Sequence, residues 1–134
     1  MHPLVLTIAF AAALLASLLV KFWLASRQMR YVAAHRDAVP PAFAQTISLA
    51  AHQRAADYTL AKGRFGLISM AVGAAVLLGW TLLGGIDALN TALRDTLQPR
   101  FGDLAYQLAL LGAFALIGAV IELPLALYLS LIHI

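Results

Sequence analysis

At 134 residues, 63% of them hydrophobic and 11% charged, the chain departs from soluble domains, which run at about 45–50% apolar and about 25% charged. A water-soluble fold of this size buries about two thirds of its surface and would leave a large apolar area exposed, while disorder requires the opposite composition. The net charge of +3, nine basic against six acidic residues, is too sparse for a nucleic-acid surface, and the absence of cysteine excludes disulfides, thiolate zinc sites and a cysteine nucleophile.

Spanning the ~30 Å hydrocarbon core takes about 20 apolar residues in a helix, and three stretches qualify, at about 4–24, 65–83 and 104–128. Single apolar runs satisfy their backbone groups in lipid only as helices, so the chain reads as an all-α integral membrane protein in contact with the bilayer, and no nucleic-acid partner is expected. Met1, His2 and Pro3 place no Lys or Arg ahead of the first run, whereas Lys21, Arg27 and Arg30 follow it. That pattern predicts an uncleaved anchor rather than a signal peptide, with the N-terminus outside.

The loop over 27–64 holds Arg27, Arg30, Arg36, Arg54, Lys62 and Arg64 against Asp37 and Asp57. Its positive surplus predicts a cytoplasmic location. Within it, Pro40 and Pro41 are expected to start an amphipathic helix running from Ala42 to Lys62. Phe43, Ile47, Ala50, Tyr58 and Ala61 form its apolar stripe, with Arg54 inside the stripe and Asp57 as the local acceptor. This helix either lies on the headgroups or packs in a larger domain. The loop over 84–103, with Arg94 and Arg100 against Asp87, Asp95 and Asp103, is expected outside as a short helix capped by Asp87 and ended by Pro99.

An acid inside a span is costly and needs a partner, which singles out Glu122. Lys21 in the first span and Glu122 in the third lie at similar depth at ~1.5 Å per residue. The two either pair, or Lys21 snorkels to the interface and Glu122 meets a group outside this chain. Pro124 is expected to kink the third span near Val120. In the second span, Gly66, Ser69 and Gly73 share a face suited to helix packing. His2, His35, His52 and His133 include no i, i+3 or i, i+4 pair and no HExxH. No catalytic, cofactor-binding or metal-ligating residue is therefore assigned; the structural candidates are Glu122, Lys21, Pro124, Arg54, Asp57 and Tyr58.

The segment Phe43-Ala44-Gln45-Thr46-Ile47-Ser48, then His52-Gln53-Arg54-Ala55-Ala56-Asp57-Tyr58 and Gly63-Arg64-Phe65, resembles the N-terminal region of the type I CAAX prenyl proteases. So does Glu122-Leu123-Pro124-Leu125-Ala126-Leu127-Tyr128. The resemblance covers roughly residues 27–128. It implies part of a larger helical barrel around a chamber in an integral-membrane zinc metalloendopeptidase of a bacterial inner membrane, acting on a peptide or protein substrate. The remaining helices and catalytic domain of the parent protein would be its partners. Zinc is expected in the parent, on a HExxH motif and a later glutamate outside the matched region, and no cofactor in these 134 residues. After Tyr128 the family continues with a polar, acidic segment, whereas this chain reads Leu129-Ser130-Leu131-Ile132-His133-Ile134. Those six residues are the translation of CTG TCT CTT ATA CAC ATC, the transposase mosaic-end adapter of sequencing libraries, so 129–134 is expected to be adapter-derived and the chain a fragment. The alternative function is a small helical membrane protein serving as an assembly factor or transporter subunit.

Overall fold

The computed structural model describes residues 2–132. They form helix α1 (Pro3–Ala34), a single 3-10 turn (Pro41–Phe43), helix α2 (Leu49–Thr81) and helix α3 (Gly85–Ile132). Each of the three long helices contains a stretch long and apolar enough to cross a membrane. They fall into two compact units, Met1–Ala74 and Ala75–Ile134.

The helix ends follow from local chemistry. His2 caps α1, its Nδ1 accepting from the Leu4 N–H at 3.4 Å, and Pro3 occupies the first turn, where its missing N–H costs nothing. α1 then runs 32 residues, ~48 Å. It overshoots the hydrocarbon core and carries Arg27 and Arg30 beyond the first span. Near that boundary the Arg27 guanidinium lies 5.7 Å from the centroid of the Trp23 ring, a cation–π contact.

The loop helix expected over 42–62 starts later. Residues 41–43 form only the 3-10 turn, and α2 begins at Leu49 because Ser48 caps it, Oγ accepting from the Ala51 N–H at 3.2 Å. Nor does this helix end before the second span: α2 continues through Lys62, Gly63 and Arg64 to Thr81, since Lys and Arg are good helix formers and nothing there breaks the ladder. The proposed stripe is shortened: Phe43 and Ile47 lie outside α2, while Ala50, Arg54, Tyr58 and Ala61 lie within it and are exposed.

In the first unit the inward positions of α1 include Leu14, Leu18, Phe22, Ala25, Met29 and Val32, with Arg36 in the turn that follows, and those of α2 include Ala56, Leu60, Gly63, Leu67 and Met70. Both series step by three or four residues, the spacing of a helix–helix seam. The helices run antiparallel, since Arg36 meets Asp57 while Met29 meets the backbone at Gly63. Among the described residues of α2, Ala56 and Phe65 are buried.

In the second unit, the Leu78 carbonyl accepts from the N–H groups of both Leu82 and Leu83, and Gly84 at φ +80° turns the chain. The Gly84 carbonyl then accepts from Ala88 N–H at 2.9 Å. The cap of α3 is therefore Gly84, and Asp87 sits in the first turn, where its charge favours the helix N-terminus. Pro99 does not end this helix. The break falls at Gly102, with φ 84° and ψ 178°, and Gln98 Nε2 donates to Asp103 Oδ1 across it at 2.6 Å. Tyr106 OH bonds to Asn90 Oδ1, and the Trp80 and Phe114 rings pack with centroids 5.0 Å apart. Beyond Gly102 no residue through Val120 and Pro124 has non-helical backbone angles, so Pro124 sits within a continuous helix. Of the segment 129–134, residues 129–132 continue α3 and 133–134 lie outside the described residues.

Candidate functional site

The densest polar arrangement lies in the first unit, where the C-terminal end of α1 meets the N-terminal third of α2. α1 stops at Ala34 and delivers His35, Arg36 and Asp37 to a turn; α2 presents His52, Gln53 and Asp57 opposite them. Arg36 grips the Asp57 carboxylate with two donors, Nε to Oδ1 at 2.6 Å and Nη2 to Oδ2 at 2.9 Å. This bidentate fork is the strong geometry for a guanidinium–carboxylate pair. The third guanidinium nitrogen, Nη1, donates to Asp37 Oδ1 at 3.0 Å, which also accepts from Gln53 Nε2 at 2.9 Å. His52 Nε2 donates to the His35 carbonyl at 2.8 Å, and His35 Nδ1 donates to the Tyr31 carbonyl at 2.9 Å while its ring stacks on Tyr31 at 4.1 Å. Beside this clasp is an open cavity of about 300 Å³, bounded by Gln28, Tyr31 and Val32 of α1 and by His52, Ala55 and Thr59 of α2.

The arrangement holds two helices together; it does not place a nucleophile beside a base. The Thr59 hydroxyl donates to the Ala55 carbonyl at 2.8 Å, and the Ser48 hydroxyl is the cap of α2. Among the described residues no three His, Cys, Asp or Glu side chains come together as a metal site.

Arg54 and Asp57 do not pair. Asp57 is taken by Arg36, and Arg54 Nε turns back to the Ala50 carbonyl at 3.3 Å. Tyr58 is on the exposed side of α2. Lys21 is exposed on α1 in the first unit, and Glu122 and Pro124 are exposed on α3 in the second; neither Lys21 nor Glu122 has an ion pair among the described residues. A Cβ on Gly66 or Gly73 would meet nothing within 4 Å, so that small-residue face is open. Sequence reasoning missed Arg36, Asp37 and Gln53 as a group. Only the antiparallel register of α1 and α2 brings them together, and no local spacing encodes it.

The clasp has a definite pH signature. Asp57 lies in the polar third of α2, ahead of the apolar run, and the Arg36 guanidinium hydrogen-bonded to it holds its carboxyl below the ordinary carboxylate range. The same bonds raise Arg36, which stays charged throughout the working range. A depressed acid stabilises the fold above its unfolded pKa and loses that contribution as pH falls through its folded value. The expected result of a double-mutant cycle with Arg36→Gln and Asp57→Asn is therefore a coupling present at neutral pH and absent once Asp57 is protonated. Denaturant titration of the helical circular-dichroism signal in micelles at the two pH values checks it; equal coupling at both would contradict the assignment.

A family model described as CAAX prenyl protease N-terminal, five membrane helices, matches residues 28–132. No curated protein and no solved structure matches the chain. The family match covers most of the chain, which belongs to this family of membrane-helix domains.

Proposed function

We propose that the chain is the N-terminal, non-catalytic membrane domain of a zinc-dependent endopeptidase resembling CAAX prenyl proteases, and that its helices form part of the wall of the chamber that admits substrate. The observation that carries this reading is the family match over 28–132. In this role the Arg36–Asp57 clasp sets the spacing of α1 and α2 at their charged end, and the apolar runs hold the wall in the bilayer. The positive surplus of 27–64 supports a cytoplasmic position for that end, in a bacterial inner membrane with the N-terminus outside.

Among the described residues no three metal-ligating side chains cluster, and we assign peptide hydrolysis to the parent protein's catalytic domain. The test has two arms. The purified 134-residue chain is expected to retain no stoichiometric zinc by mass spectrometry and to cleave no peptide. The complete reading frame is expected to carry HExxH, and its product to lose peptidase activity on chelation. A complete frame without that motif would overturn the proposal, as would stoichiometric zinc on the 134-residue chain.

A further inference from the structure

The third span carries one charge, Glu122, on a side of α3 where it is exposed and has no hydrogen bond or ion pair among the described residues. The residues above and below it on that side are Gly112, Ala115, Ala119 and Ala126, all exposed. Their steps of three, four, three and four residues, with Glu122 in the series, keep them on one stripe. The stripe therefore has almost no side-chain relief except one carboxylate. Larger apolar side chains, Leu116 at 65% and Leu123 at 56% exposed, flank it.

Two physical rules apply to such a face. Small residues let another helix approach closely, and a polar side chain within the close contact then bonds across it. An ionisable group at membrane depth faces a bundle interior or a water-filled cavity rather than lipid. A flat small-residue stripe suits the first of these, because a helix seated in it leaves little room for water around the carboxylate. The family domain is described with five membrane helices, whereas this chain has three apolar helices of spanning length among its described residues.

We propose that the Gly112–Ala126 stripe of α3 is the docking face for a further membrane helix of the five-helix domain, and that this helix presents an Arg or Lys to Glu122. The proposal rests on family membership and on the face itself, not on the peptidase reading, and stands or falls whatever the protein hydrolyses.

The experiment uses the full-length protein in membranes. A photoreactive diazirine side chain at position 119 is expected to crosslink to a helix outside residues 1–132 that carries an Arg or Lys, and the same probe at position 120, turned away from the stripe, to label lipid. Glu122→Gln is expected to reduce accumulation of folded protein about three- to tenfold, the size of a lost interhelical polar contact. Exchanging the two charges between Glu122 and its partner is expected to restore most of it, which separates a specific pair from a general folding defect. The proposal is overturned if position 119 labels lipid, a second copy or the α1 segment around Lys21. It is equally overturned if Glu122→Cys reacts with a membrane-impermeant thiol reagent as fast as a residue in water, or if charge exchange fails to restore accumulation.

Discussion

Gly102→Ala is expected to destabilise the chain by about 1–3 kcal/mol, the cost of holding a non-glycine residue in a sparsely populated backbone region. Gly102 combines φ 84° with ψ 178°, a conformation essentially confined to glycine because a Cβ there collides with its own backbone. It is the non-helical residue at which α3 changes course, and the Gln98–Asp103 bond closes over it at 2.6 Å. A Cβ at this position would meet nothing within 4 Å, so the effect is conformational and owes nothing to crowding. Gly66 supplies the control. It is helical and a Cβ there also meets nothing within 4 Å, so Gly66→Ala is expected to be neutral or stabilising by about 0.5–1 kcal/mol. Denaturant titration of both variants in micelles measures the contrast. Equal effects of the same sign would show that Gly102 does not require its observed backbone.

The second large effect is expected at Gly63, where the Met29 side chain of α1 lies against the backbone of α2. A Cβ there would lie 2.8 Å from Met29 Sδ and 2.9 Å from Met29 Cγ, closer than nonbonded atoms rest. Gly63→Val therefore has to push α1 and α2 apart or drive Met29 out of the seam, at about 1–3 kcal/mol for overpacking. The site lies about two turns from Arg36–Asp57 on both helices, at 3.6 residues per turn, so separation at Gly63 also strains that fork. Met29→Ala removes both offending atoms. Adding it to Gly63→Val is expected to recover much of the loss, although Met29→Ala alone destabilises by emptying the seam. If the two effects simply add, measured in the same titration, the close approach is not what Gly63 provides.

Much of the architecture is readable from hydropathy because membrane insertion is a property of ~20 contiguous residues. The runs at 4–24, 65–83 and 104–128 fall on α1, α2 and α3, except that Leu82 and Leu83 lie past the end of α2, and all-α followed from the demand that lipid makes on backbone groups. Helix ends were less legible. A drop in hydropathy marks where a span leaves the hydrocarbon, whereas the backbone ladder stops only when capped or broken. α1 thus continues to Ala34 and α2 starts as far back as Leu49. Ser48 was a readable cap that the more conspicuous Pro40-Pro41 pair obscured, and Pro99 drew attention from Gly102 in the same way.

The clasp illustrates a different limit. Arg54 and Asp57 are three residues apart, near enough to suggest a pair, yet Arg54 lies on the outward side of α2 and Asp57 reaches Arg36, 21 residues earlier in the chain. Neighbours along a helix are set by its 3.6-residue turn and can be counted. Neighbours across a hairpin depend on its register, which the packing of Met29 against Gly63 and of the inward seam decides.

By itself the sequence determined that this protein lives in a bilayer, that it crosses as helices, that its positive surplus sits in one loop, and that Glu122 is an anomaly inside a span. These are properties of single segments in a given solvent. The tertiary structure decided which arginine holds Asp57, which glycine bends α3, and that the side of that helix carrying Glu122 is exposed. Those depend on contacts between residues far apart in the chain, or on a backbone conformation that several residue types could border and glycine alone adopts without strain.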